Sequence, residues 1–357
     1  MGIKKGPVLP FVLIVLIFCS LASAETTDVI VYQEEGKFCG WPANEGVWSW
    51  GDEILVGFNI GDYLYNSNGH SFDPDVQLST VQARSVDGGL TWTLETPEVL
   101  SRNRKVTSLE QSLNLTDRNF AMKCRGRKHW YSYNRGKTWK GPFQLPLMGQ
   151  ISLDARTDYI VNSANEALFF IPVAKPDGLN NRAMVFSTTD AGKSFDFISY
   201  IAPCPPVGVG KGDYCTMPST VKLSEGVYIT ALRQRRASQN NKKWIDIYKS
   251  EDNGKSWRFL TKAVDQNWNP ASMIKLADGR ICLTYGWRYS PEGIRAKISS
   301  DDGQTWGNEI ILRDDGSTWD LGYPRSIQRS DGKVITIYYY STDANPQQHI
   351  AATIWQP

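Results

Sequence analysis

With 357 residues, among them 13 Trp, 16 Tyr, 30 Gly and 18 Pro, the chain is composed for many short strands and turns rather than for helices. Its formal charge is +2, and residues 1–24 carry two lysines and no acid, so the remainder is close to neutral. A neutral chain lacks the cationic surplus that phosphate backbones demand, which argues against nucleic-acid binding.

In chain order, Lys4 and Lys5 precede an apolar run from Val8 to Leu21 and the small residues Ala22-Ser23-Ala24. This reads as a secretory signal over 1–24, cleaved after Ala24, and it predicts a secreted or periplasmic protein. A membrane anchor is the alternative, but the run is short for a span, so no stable membrane insertion is expected. Asp28-Val29-Ile30-Val31-Tyr32 then reads as a strand. Pairs of apolar strands follow around Gly51-Asp52, Thr116-Asp117, Asn165-Glu166, Glu225-Gly226, Asp278-Gly279 and Asp331-Gly332.

A Ser-x-Asp-x-Gly-x-Thr-Trp phrase, a turn signature, recurs at 85–92, 132–139, 188–195, 250–257 and 299–306. Asp and Ser side chains hold the turn backbone, Gly takes the left-handed position, and the aromatic buries beside it. The glycines of these boxes lie 47 to 62 residues apart, about one four-stranded blade each. Six strand pairs and five boxes predict an all-β fold: a single six-bladed β-propeller over 25–357. The C-terminal strand Ile350 to Trp355 is expected to share a blade with Asp28 to Tyr32 and close the ring. A box-like Asp314 to Trp319 follows Gly303 by only 13 residues, too close for a blade, and reads as a loop. Asn59 to Asp75 and Ala202 to Met217 are long connections of the kind that carry function.

Five cysteines follow the signal, and Cys204 with Cys215 can close the loop between them. No Cys or His spacing fits a structural zinc site, and no cofactor or metal is expected. Asn114-Leu115-Thr116 matches a glycosylation acceptor.

In a propeller the innermost strands begin at the central channel, where ligands gather. Those starts carry Gly40-Trp41-Pro42, Ser108 to Gln111, Ala155-Arg156-Thr157-Asp158, Met217-Pro218, Trp268-Asn269-Pro270 and Gly322-Tyr323-Pro324-Arg325. With its boxes, this pattern resembles the sialidase-like superfamily, and in particular the family 33 exo-sialidases. The resemblance implies three arginines on a substrate carboxylate, a Tyr nucleophile assisted by a Glu, and an Asp proton donor. Carried over by position, Arg233 is the second arginine and Arg288 or Arg295 the third. Tyr323 is the nucleophile, and Asp73 or Asp75 is the acid. The first arginine corresponds to the Gly40-Trp41-Pro42 phrase and the glutamate to Met217, so both are replaced. Arg156 is expected to restore the anion clamp, Arg325, just past the tyrosine, to face the channel and the substrate, and Asp158, Glu45 or Glu110 to supply the missing carboxylate. His70 offers an imidazole near neutral pH, and Trp41 or Trp268 a stacking face for a sugar.

Each of these residues also has a plainer reading. Tyr323 can be core packing, Arg233 part of a solvated basic run, Asp73 and Asp75 turn formers around Pro74, and Asp158 a partner that holds Arg156. The reading as a whole is a glycosidase of the exo-α-sialidase type acting on an acidic glycan. The alternatives are a uronate lyase and a non-catalytic glycan binder.

Overall fold

The computed structural model describes residues 1–2, 26–100, 104–176, 178, 181–203, 212–237 and 239–357. Residues 3–24 of the signal segment and Cys204 lie outside them. Cys215 is disulfide-bonded, whereas Cys39, Cys124 and Cys282 are free and buried. Among the described residues no helix is long and apolar enough to cross a membrane.

The chain is all-β. Its described strands form five sheets, with single helical turns at Pro42–Glu45 and Glu98–Leu100. The largest sheet divides into two antiparallel runs, Tyr159–Val161 to Asp196–Tyr200 and Tyr214–Ser224 to Arg258–Val264. One parallel pairing, Arg182 with Cys215, joins them. Every box lies between the last two strands of an antiparallel run. The sheet without a box holds Gly322–Gln328, Val334–Tyr340 and His349–Trp355, and its outermost strand is Thr26–Tyr32 from the other end of the chain. The terminal strands therefore pair as expected.

One strand pair differs from expectation. Thr116-Asp117 is not flanked by two strands, because residues 104–120 hold no named strand. Leu113 and Leu115 are buried there, but their amides donate to the Ala191 and Ala164 carbonyls, so the backbone is tied to a neighbouring loop. The hairpin of that sheet is Ala121–Arg125 with Lys128–Ser132.

Alternation decides how the sheets stack. In Val334–Tyr340, Ile335, Ile337 and Tyr339 pack into one apolar cluster, while Val334, Tyr338 and Tyr340 pack into another. Both faces of this strand are covered, which explains a run with no polar face.

The boxes are built as their residue types require. Ser85 Oγ bonds Asp87 Oδ1 at 2.7 Å and accepts from the Gly89 amide at 2.8 Å. Asp87 accepts from the Thr91 amide and hydroxyl at 2.9 and 2.6 Å. The Thr91 hydroxyl contributes most to holding that carboxyl well below its usual range. Gly89 has φ +93°, and a Cβ there would come 2.2 Å from Ile335 Cδ1. Gly89→Ala should therefore cost about 1–3 kcal/mol from backbone strain, with the clash added, read as a lower denaturant midpoint.

The same contact recurs from sheet to sheet. A Cβ on Gly136 would meet Leu55, one on Gly254 would meet Val185, and one on Gly303 would meet Ile229. Each of these boxes seats against the preceding antiparallel run, and the first box seats against the last sheet.

Candidate active site

Three residues that precede prolines, Trp41, Met217 and Tyr323, take left-handed backbone angles with φ of 59°, 57° and 48°. Such angles are costly for non-glycine residues and persist only where surrounding structure imposes them. At Met217 and Tyr323 the pairing register breaks, between Thr216 and Ser219 and between Gly322 and Arg325. These bulges release the side chain from the pleat and re-aim it. Asn269 fixes the one at Tyr323, since its Oδ1 accepts from the Tyr323 amide at 2.7 Å and its Nδ2 donates to the Leu321 carbonyl at 2.9 Å. A Cβ on Gly322 would lie 2.5 Å from Asn269 Oδ1, so only glycine allows that approach.

Two arginines attend the tyrosine. Arg233 Nη1 donates to the Tyr323 hydroxyl at 3.3 Å, and Arg288 Cζ lies 5.7 Å from the ring centroid. Arg288 is anchored on the Leu321 carbonyl and donates to the Tyr339 hydroxyl at 2.7 Å. Tyr339 donates in turn to Asp320 at 2.7 Å. Asp320 is buried, binds His70 Nδ1 at 2.6 Å and accepts from the Ser71 amide at 3.0 Å. Burial would raise the Asp320 carboxyl, but the bonds and charge of His70 and the Tyr339 hydroxyl outweigh it and lower it. An anionic Asp320 therefore holds the imidazole by Nδ1 and leaves Nε2 for a ligand.

Trp41, His70 and Tyr323 line a cavity of about 620 Å³ together with Asn44, Asn59 and Arg125. The Trp41 and His70 rings meet edge-on at 5.0 Å, and the His70 and Tyr323 rings at 6.4 Å. A buried ion network supports Asn59 and Arg125. Glu45 accepts from Lys123 at 2.9 Å and from Asn59 at 3.0 Å, and Arg125 Nη1 lies 3.2 Å away. Burial pushes the Glu45 carboxyl upward, yet Lys123 and Arg125 hold it at about 2.

The other residues expected at the site are elsewhere. Arg156 is buried with its donors on the Pro218, Ala43 and Ala271 carbonyls, so it braces three segments rather than facing a ligand. Arg325 donates to the Ala43 and Thr157 carbonyls and lies 3.7 Å from Asp158. Burial raises the Asp158 carboxyl to about 6 against the opposing charges of Arg325 and Arg156. None of these three lines the cavity. Arg295 departs furthest, because its guanidinium is used on the Ile294, Arg313 and Pro291 carbonyls within its own sheet. Of the two candidates for the third arginine, Arg288 is the one beside Tyr323. Asp73 and Asp75 form a turn in which the Asp75 amide donates to Asp73 Oδ1 at 2.9 Å. Asp320, Arg125 and Asn59 were not anticipated. Asp320 directly follows the box-like phrase read as a loop, and Arg125 opens the basic stretch Arg125 to Lys128.

Residues 118–336 match a family model described as BNR repeat-like domain. Among solved structures, a Dyadobacter fermentans protein of unknown function superposes with a TM-score of 0.69 at 22% identity, covering 92% of this chain and 97% of that one. The NanB sialidase of Streptococcus pneumoniae gives 0.55 at 12% identity, over 92% and 70% of the two chains. The endosialidase of phage phi92 gives 0.57 at 9%, over 93% and 69%. No curated protein matches the chain.

Proposed function

Because the chain belongs to the BNR repeat-like domain family, within the sialidase-like superfamily, we propose that it is a six-bladed β-propeller glycosidase that hydrolyses the bond to a terminal acidic sugar. Closure of the ring is supported by the pairing of the terminal strands and by the first box seating against the last sheet. The observation that carries the activity is Tyr323, held on strained backbone in contact with Arg233 and Arg288 and sharing one cavity with an Asp-oriented histidine.

In this reading Arg233 and Arg288 face the sugar carboxylate, and the Tyr323 hydroxyl lies at the anomeric carbon. As the glycosidic C–O bond breaks, the leaving oxygen takes a proton from His70. The water whose oxygen bonds to the anomeric carbon returns one proton to the imidazole. Asp320 is a positioning residue for His70. The cavity is large enough for a sugar and lined by aromatic faces and amides, as carbohydrate recognition needs.

A panel of sialylated and uronate-bearing glycans, screened for released monosaccharide and for ultraviolet absorbance, tests the proposal. Free acidic sugar without new absorbance is expected, and no release from any member of the panel would overturn it. Absorbance from an unsaturated product would instead select the lyase reading. That reading is favoured by the His70–Asp320 pair, which suits abstraction of a proton α to a carboxylate.

Asp320→Asn should lower kcat about 100-fold with little change in KM and shift the alkaline limb of the pH–rate profile to lower pH. A melting curve run alongside separates this from lost stability, and an unchanged kcat would remove Asp320 from the mechanism.

A further inference from the structure

Beside Tyr323 lies a group of cations with no acidic partner. Arg233, Arg235 and Lys243 form no ion pair among the described residues. Arg233 and Arg235 both lie over the Tyr214 ring, at 5.0 and 5.9 Å. Arg235 pairs with Lys243 across adjacent strands, which places like charges opposite each other, a destabilising arrangement unless an anion offsets it. Lys243 is the most telling of them. It is 6% exposed, and its ammonium makes no hydrogen bond among the described residues. It lies 3.2 Å from the centroid of the Trp268 ring.

Aromatic rings connect this cluster to the cavity at Tyr323. Trp268 meets Trp319 at 6.3 Å, Trp319 lies under Arg288 at 5.1 Å, and Trp319 meets His70 at 6.1 Å. On its other side Trp268 meets Tyr289 at 6.3 Å. Lys243, Trp268 and Tyr289, with Asn241 and Gln266, line a second cavity of about 520 Å³. Its one carboxylate, Asp265, is exposed and leans towards Lys262 at 3.9 Å.

We propose that this second cavity is a subsite for the next carboxylate-bearing sugar of an acidic oligosaccharide whose terminal residue occupies the Tyr323 site. The proposal rests on the glycosidase reading for the placement of the terminal sugar. Trp268 and Tyr289 supply faces for an apolar sugar surface, and Lys243 with Arg235 supplies the charge for its carboxylate. Burial, then the charges of Arg235, Arg233 and Arg288, brings the Lys243 ammonium down to about 8, and a bound anion would relieve that strain. The substrate class is thereby narrowed to glycans with consecutive acidic sugars.

Calorimetric titration of the Tyr323→Phe protein with four probes tests this: disialic acid and digalacturonate against the two corresponding single-sugar glycosides. One dimer should bind about tenfold more tightly than its single-sugar counterpart, the worth of one charge-assisted contact. The better dimer identifies the acid. Lys243→Met should erase that difference and leave single-sugar binding unchanged, while Lys243→Arg should keep most of it. Equal binding of dimers and single sugars, or a preference indifferent to Lys243→Met, overturns the proposal. A Lys243-dependent dimer preference in a protein that releases no sugar would uphold the subsite and overturn the hydrolase. Hydrolysis of single-sugar glycosides without any dimer preference would do the reverse.

Discussion

Tyr323→Phe should reduce kcat on the acidic glycan by roughly 10²–10⁴-fold while KM stays within a few-fold of the parent protein. The substitution removes one hydroxyl and the bond it accepts from Arg233. It leaves the amide bond to Asn269, the edge-on contact with Tyr339 and the proximity of Arg288 in place. Melting temperature should therefore hardly move, and the split between kcat and KM separates chemistry from binding. An unchanged kcat would return Tyr323 to the role of a packing residue and remove the hydrolytic mechanism with it.

Glu45→Ala should cost about 3–5 kcal/mol of stability, because it strands Lys123 as an uncompensated charge in a fully buried site. Burial already lowers the Lys123 ammonium, and Glu45 is what opposes that shift. Adding Lys123→Met should recover part of the loss, since an apolar replacement removes the stranded charge. The pair also sets an acid limit. Glu45 titrates near 4.5 when unfolded and at about 2 when folded, so its contribution is complete above 4.5. It is lost as pH falls from 4.5 towards 2. Chemical denaturation of both variants at pH 7 and pH 3 measures this, and a Glu45→Ala protein within 1 kcal/mol of the parent at pH 7 contradicts it. The same variant should weaken ligand binding, because Arg125 and Asn59 both lean on Glu45.

What the residues disclosed in advance depended on how local the physics was. The box turns were legible because Ser85, Asp87, Gly89 and Thr91 satisfy one another within a few positions. The apolar, β-branched and aromatic run Val334 to Tyr340 and the β-rich segments 28–32 and 350–355 likewise identified strands from their own composition. Tyr323 stood out between a glycine and a proline, a combination that anticipates unusual backbone. Asp320 did not, because its role depends on His70, 250 positions away. Arg125 was obscured in the same way, for its function comes from Asn59, 66 positions away, and from Glu45. The arginines show the limit from the other direction. Arg156, Arg295 and Arg325 have the same chemistry as Arg233 and Arg288, and only the position of the last two beside Tyr323 distinguishes them. Asp73 and Asp75 lay at the family's acid position, yet a proline between two aspartates is also a turn former, and their bonding in the structure is that of a turn.

The pairing of Thr26–Tyr32 with His349–Trp355 has a consequence for biosynthesis. The bond from Thr353 to Asp28 spans 325 positions, so among the described strands Thr26–Tyr32 lacks its partner until residues 349–355 have left the ribosome. At 5–20 residues per second that is a wait of roughly 16–65 s, during which an unpaired edge is open to other chains. Chaperone occupancy during translation should therefore persist until residues 349–355 emerge and then fall abruptly.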